Sequence, residues 1–346
     1  MNIFSSTAMS CGISFLVTAL LGIVLIPVLH KLKFGQNILT SIGPKWHAKK
    51  QGTPTMGGIM FIIGLVLAVA VTVITCKLAG FSVFSEYDFD KNKEITRLWA
   101  GIIFAVCMAL IGFTDDYIKV VKKRNLGLTE IQKTIPQLLA IAAYLSSLWI
   151  CGGQSDITMF IPFVGSVRMG WFFWIFGVCV IYGAINAVNF TDGIDGLCGS
   201  VTLTVGVALA VMALMRNLTS MGILASALAG ACAGYLIWNH YPAKVMMGDT
   251  GSMFLGGIVI AIAYGLDCPI ILLPVGIIYV IEAMSDVIQI GSIKVRHKKV
   301  FKMAPIHHHF EMCGWKENKI VAVFTFVNIL GCAAGIALMY FGGYKL

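Results

Sequence analysis

At 346 residues, 58% hydrophobic and only 12% charged, with a mean hydropathy of +0.87, the chain carries about half the charge of an ordinary soluble protein. That excludes a soluble doubly wound enzyme, a disordered tail protein and a nucleic-acid-binding domain, and leaves apolar material for on the order of ten membrane spans. The net charge of +9 is then loop charge at a membrane face, and no nucleic-acid partner is expected.

Taken in chain order, apolar segments fall at 10–29, 56–76, 98–113, 135–151, 171–185, 198–215, 221–238, 252–266, 269–290 and 320–342. They predict an all-α integral membrane protein of ten transmembrane helices, one polytopic domain over 1–346. No Lys or Arg precedes the first segment, so it is expected to be an uncleaved span. The polar stretches 31–55, 114–134, 186–197, 239–251 and 291–319 hold 18 of the 25 Lys and Arg residues. Positively charged loops stay in the cytoplasm, which puts these five inside and both termini outside.

One outer stretch, 152–170, differs: its runs ITMFI and SVRM flank a Phe-Val-Gly turn and predict a small hairpin near 155–168. In the ninth segment Glu282 and Asp286 lie one helical turn apart, either lining a polar cavity or solvated at the cytoplasmic edge. Ten cysteines without any CxxC spacing predict free thiols rather than a disulfide frame or metal cluster.

Each predicted cytoplasmic loop is dense in polar residues. The first, GPKWHAKKQGTPTMGG, places His47, Lys50 and Thr53 before a Gly-rich entry to the second span. The second, LIGFTDDYIKVVKKRNLGLTEIQK, sets Asp115 and Asp116 at a span terminus, followed by Lys119, Lys122, Lys123, Arg124 and Lys133. Paired carboxylates can bind a hard divalent cation or share a proton, and the lysines can hold phosphates. The third, NAVNFTDGIDGL, supplies Asn186, Asn189, Thr191, Asp192 and Asp195. The fourth, NHYPAKVMMGDTGS, flanks Asp249 with glycine and threonine at a helix start, where bare N–H groups suit an anion. The fifth carries MAPIHHHFE, whose His307, His308 and His309 lack zinc spacing and suit hydrogen bonding to phosphate. A transporter would hold such groups near the bilayer midplane. Here they gather at one rim, which favours magnesium-assisted phosphoryl transfer between a soluble phosphate compound and a lipid phosphate.

The motifs GTPTMGG (52–58), LIGFTDDYIKV (110–120), NAVNFTDGIDGL (186–197), NHYPA with MGDTGS (239–252) and MAPIHHHFE (303–311) occur in order. Together they resemble the phospho-N-acetylmuramoyl-pentapeptide transferase family over nearly the whole chain. The histidine run differs from that of the related polyprenyl-phosphate N-acetylhexosamine-1-phosphate transferases. The resemblance implies transfer of phospho-MurNAc-pentapeptide from UDP-MurNAc-pentapeptide to undecaprenyl phosphate in the bacterial cell membrane, giving lipid I and UMP. It also implies Mg²⁺, a homodimer and an active site on the cytoplasmic side. Asp115, Asp116 and Asp249 match the family's catalytic aspartates, with Asp249 the metal ligand, and His307 and His308 match histidines needed for activity. Lys50, Asp192, Asp195 and Asn239 match the nucleotide pocket, and Lys133 a lysine near the phosphate site. With Lys119, Asn186, Asn189 and His309, these form the expected substrate-binding set. Met246 stands where many members carry an aromatic that can stack on uracil, and its thioether can still cover a base. Asp286 has no counterpart in the family pattern.

Overall fold

A computed structural model describes residues 1–32, 52–122, 127–151 and 158–344. The chain is helical almost throughout: α1 (Ile3–Lys31), α2 (Gly58–Leu78), α3 (Asp88–Val121), α4 (Glu130–Cys151), α5 (Phe172–Thr191), α6 (Leu197–Met215) and α7 (Thr219–Asn239). Then come α8 (Gly248–Gly265), a 3₁₀ turn (Pro269–Ile271), α9 (Leu272–Val275), α10 (Ile277–Arg296), α11 (Ile306–Met312) and α12 (Glu317–Phe341). Among the described residues, eight helices are long and apolar enough to cross a membrane, or nine if the bent pair around Gly276 is one span. The protein is therefore a multi-pass membrane protein, with its all-α character as expected.

Packing follows membrane rules. α1 turns Ser6, Ser10, Ser14, Thr18 and Gly22 inward at four-residue spacing and leaves Leu16, Leu20, Ile23 and Val24 outside. Small inward residues let backbones approach closely where no water drives association. Two cross-links fix α1 on α7: Ser10 Oγ donates to the Ile223 carbonyl at 3.0 Å, and Trp238 Nε1 donates to that of Ala19 at 3.0 Å. The first turn of α1 is closed by a capping box, Asn2 and Ser5 each accepting the other's N–H.

At the centre stands α8, buried from Thr250 to Gly265. Its Met253 and Ile260 pack with Phe104 and Met108 of α3 and with Ile181 and Ile185 of α5. The opposite side of α8, through Phe254 and Ile258, joins the larger core shared with α2, α6 and α7.

The span expected over 269–290 is not one continuous helix. The segment breaks at Gly276, with its two parts bent by 86°. Pro269 and Pro274 lack the N–H that a continuous helix needs, and Gly276 costs the helix further order. The backbone groups freed at the bend find buried Asn328 of α12, whose Oδ1 accepts from Ile278 N at 3.3 Å and whose Nδ2 donates to the Val275 carbonyl at 3.1 Å. That satisfaction makes irregular backbone tolerable inside apolar surroundings.

The predicted hairpin is present as β1 (Thr158–Ile161) and β2 (Gly165–Arg168), antiparallel, with Met159 opposite Val167 and Phe160 opposite Ser166. The first residues expected in it, 155–157, lie outside the described residues. All ten cysteines are free thiols, as the spacing predicts.

Candidate active site

A 34-residue helix is about 50 Å long, and a bilayer core takes up about 30 Å. α3 thus overshoots its apolar segment, and the overshoot carries Asp115, Asp116 and Lys119. On the same face α4 carries Lys133 near its start, α5 carries Asn189 near its end, and α8 starts at Gly248 and Asp249. Alternating helix directions deliver four chain-distant segments to one spot.

Asp116 caps α8 from outside. Its Oδ1 accepts from Asp249 N at 3.2 Å, and its Oδ2 accepts from Thr250 N at 2.9 Å and from Thr250 Oγ1 at 2.7 Å. These N–H groups would otherwise be orphans of the helix start. Gly248, at φ +70°, makes the turn into the helix, and a Cβ there would overlap Asp116 Oδ2. The carboxylate and the glycine therefore belong to one device.

Asp249 is gripped from three helices. Oδ2 takes Lys119 Nζ at 3.1 Å and Lys133 Nζ at 2.9 Å; Oδ1 accepts from Asn189 Nδ2 at 3.0 Å. Asn189 Nδ2 also reaches Ser252 Oγ at 2.8 Å. Burial opposes the Asp249 charge, but the Lys119 and Lys133 ammonium groups outweigh it and hold the carboxyl well below the usual carboxylate range. Asp115, buried beside it, accepts from Leu128 N at 2.7 Å and pairs with Lys119 at 2.5 Å. Oxygens of all three aspartates lie within 4.8 Å of one another. This is the all-oxygen donor chemistry a hard divalent cation takes. Asp116 spends both oxygens on backbone N–H groups and the Thr250 hydroxyl of α8, whereas Asp249 holds side chains only and Asp115 leaves one oxygen to Lys119, so these two are the better suited of the three.

The remaining expected residues divide by position. Asn186, one turn before Asn189, donates to the Tyr182 carbonyl at 2.8 Å and lies 3.5 Å from Gln137 Oε1. Asp192 ends α5 half-buried. Asp195 and Asn239 are buried and clamp loops together: Asp195 Oδ2 accepts from Ala243 N at 3.0 Å, and Asn239 Oδ1 accepts from Gly196 N at 3.0 Å. Met246 is half-buried, and its backbone pairs with Pro54 and Gly57 at 2.8 Å each, seating the GTPTMGG motif against the start of α8. Lys50 and His47 lie outside the described residues.

The three histidines point to different partners. His307 meets Glu282, with Nδ1 3.0 Å from Oε2. His308 Nδ1 lies 2.6 Å from Glu311 Oε2. His309 Nδ1 accepts from Lys302 N at 3.1 Å, and its ring stands edge-on to Phe301. The sequence shows Glu282 without its partner and does not mark Gln137, Glu311 or Glu317, the last of which accepts from Asp195 N at 3.2 Å; only the third dimension joins 282 to 307.

The fold and this site define a class: a multi-pass membrane transferase with an aspartate–lysine centre at one rim. The sequence comparisons fall in line, since residues 98–267 match the glycosyl transferase family 4 model. Residues 50–62 match signature 1 of phospho-N-acetylmuramoyl-pentapeptide transferases. Proteins of that name from Clostridium perfringens strain 13 (42% identical, covering 95% of this chain and 97% of theirs) and Acetivibrio thermocellus (47%, 93% and 92%) are similar. So is that of Geobacillus kaustophilus, at 42% identity over 94% of this chain and 95% of its own. The chain belongs to the phospho-N-acetylmuramoyl-pentapeptide transferase family.

Proposed function

We infer that the protein transfers phospho-MurNAc-pentapeptide from UDP-MurNAc-pentapeptide to undecaprenyl phosphate, releasing UMP and forming lipid I. The observation that carries this is Asp249, held at the start of α8 by two lysines with Asp115 beside it. An aspartate that only capped a helix would need neither lysine. Two cations that now balance carboxylates are placed to hold phosphate oxygens when a diphosphate arrives.

In this reading Asp249, with Asp115 next to it, would hold Mg²⁺, which when bound neutralises the charge of the diphosphate. Lys119 and Lys133 bind phosphate oxygens, and Asn189 orients the Asp249 carboxylate. Asp116 keeps α8 and its N-terminal dipole aimed at the centre. The lipid phosphate is a monoester with a second pKa of about 6 and arrives largely ionised, so it needs no protein nucleophile. We therefore propose direct in-line attack on the β-phosphate, with Asp115 positioning the acceptor. Asp192, Lys50 and Met246 serve the uridine end. Asp195 and Asn239 fix the loops that carry it, and His307 and His308 close the donor side.

The same reading takes α8, from Ser252 on, as a tenth span and places both termini outside. The centre then faces the cytoplasm of the bacterial cell membrane, and the protein works as a homodimer. The test is direct. Purified protein given UDP-MurNAc-pentapeptide, undecaprenyl phosphate and Mg²⁺ should release UMP, and UDP-N-acetylglucosamine should not replace the donor. UMP release from the second donor alone would reassign the protein to the related hexosamine-phosphate transferases.

A further inference from the structure

His307 and Glu282 come from α11 and α10, and their side chains are 1% and 0% exposed. A buried carboxylate is costly unless its oxygens are engaged. Glu282 Oε2 serves His307 twice, 3.0 Å from Nδ1 and 3.4 Å from the backbone N. Oε2 already accepts the His307 backbone N–H, and a carboxylate there offers Nδ1–H an acceptor, the arrangement that leaves Nε2 bare; Oε1 is buried without a partner among the described residues, so His307 is the one side chain that engages Glu282. Among the described residues Nε2 has no hydrogen-bond partner although it is buried, and it faces Gly193, where a Cβ would overlap it. Gly193 lies between Asp192 and Asp195, on the loop that Asp195 and Asn239 clamp. The imidazole thus stands between a carboxylate on one side and a side-chain-free stretch of loop on the other.

We propose that Glu282 is a positioning residue for the transfer reaction: it fixes the ring of His307 and its Nδ1–H tautomer, turning Nε2 onto the 192–196 loop. This rests on the reading above, in which His307 acts on the donor side. Without Glu282 the ring loses the side-chain acceptor at Nδ1 and can rotate or exchange tautomers. A Glu that merely filled space in α10 would leave the tautomer to chance.

Two variants separate these roles. Glu282→Leu removes the acceptor, whereas Glu282→Gln retains an oxygen that can take Nδ1–H. Ring-¹⁵N histidine labelling of the full-length protein in detergent, with His307→Asn assigning the signal, reports the tautomer. UMP release with UDP-MurNAc-pentapeptide and undecaprenyl phosphate reports kcat and KM. We expect E282L to lose the Nδ1–H signature and roughly 10- to 100-fold in kcat, the range for a lost orienting partner, with the donor KM within about threefold. E282Q should keep the signature and recover most of kcat. An unchanged His307 signal in E282L overturns the proposal, as does E282Q showing the E282L defect in both readouts. If His307→Asn itself retains full kcat, the donor-side reading of His307 fails instead, and the ring signals still report the pair.

Discussion

Asp249 concentrates more of the site's electrostatics than any other residue. Both lysines and Asn189 converge on its two oxygens, and Asp116 holds its backbone N–H. Asp249→Asn preserves shape and its amide oxygen can still accept from both lysines, but it removes the negative charge and turns an NH₂ group against the Asn189 NH₂. We expect turnover to fall by roughly 10²-fold or more, the scale of losing a key electrostatic contact, while the protein stays folded. Near-normal UMP release would take Asp249 out of the reaction. The order of steps is decided at the same residues. Direct attack predicts inversion at a chirally labelled β-phosphorus and no UMP release without lipid acceptor. Net retention, or a stoichiometric burst of UMP in lipid-free enzyme, would make an aspartate the nucleophile. Adjacent Asp115 and Asp116 look equivalent in sequence but differ in partners: one pairs with Lys119, the other caps α8.

At the scale of elements, polar side chains in this fold repair backbone that helices leave open. Asn328 does so at the bend between α9 and α10, and Asn239 does so between the loops, donating also to the Val245 carbonyl at 2.9 Å. Removing either takes the acceptor from a backbone N–H, that of Ile278 or of Gly196, at about 1–3 kcal/mol each, while the Val275 and Val245 carbonyls keep Cys332 and Tyr235. Asn328→Ala should therefore lower the thermal unfolding temperature in detergent and leave the donor KM unchanged, since it lies away from the site. Asn239→Ala should lower stability and also loosen the 192–196 loop, raising the KM. If Asn239→Ala changes neither, the loop does not depend on the clamp.

The same elements show what was legible in the sequence. Apolar length gives α1 to α7 and α12 directly, because a span needs about 20 apolar residues wherever it packs. The bend was hidden inside an apolar run whose only marks were Pro269, Pro274 and Gly276. Its stabilising partner sits some fifty residues away in α12. The aspartates and lysines of the site were readable as motifs, since chemistry restricts residue type. Their division into cap, grip and clamp was not, because it depends on which helix ends meet.

For the whole molecule, the decisive quantity is the asymmetry of charge. Eighteen of 25 Lys and Arg residues fall in alternate connections, and the centre at Asp115, Asp116 and Asp249 sits among those connections. A soluble nucleotide-linked donor is made where nucleotides are, so an enzyme of this kind needs its centre on the positively charged face. The hairpin lies in the opposite kind of connection, between the end of α4 and the start of α5, with Val164 exposed at its turn. Cys313, exposed after α11, lies in one of the basic connections. These two positions make the orientation measurable. With the other cysteines replaced, Val164→Cys should react with a membrane-impermeant maleimide in intact cells. Cys313 should react only after the membrane is opened. Labelling of Cys313 from outside, with Val164→Cys silent, would invert the protein. It would then place the aspartate centre beyond reach of a cytoplasmic nucleotide, and the proposed donor would have to be abandoned along with the topology.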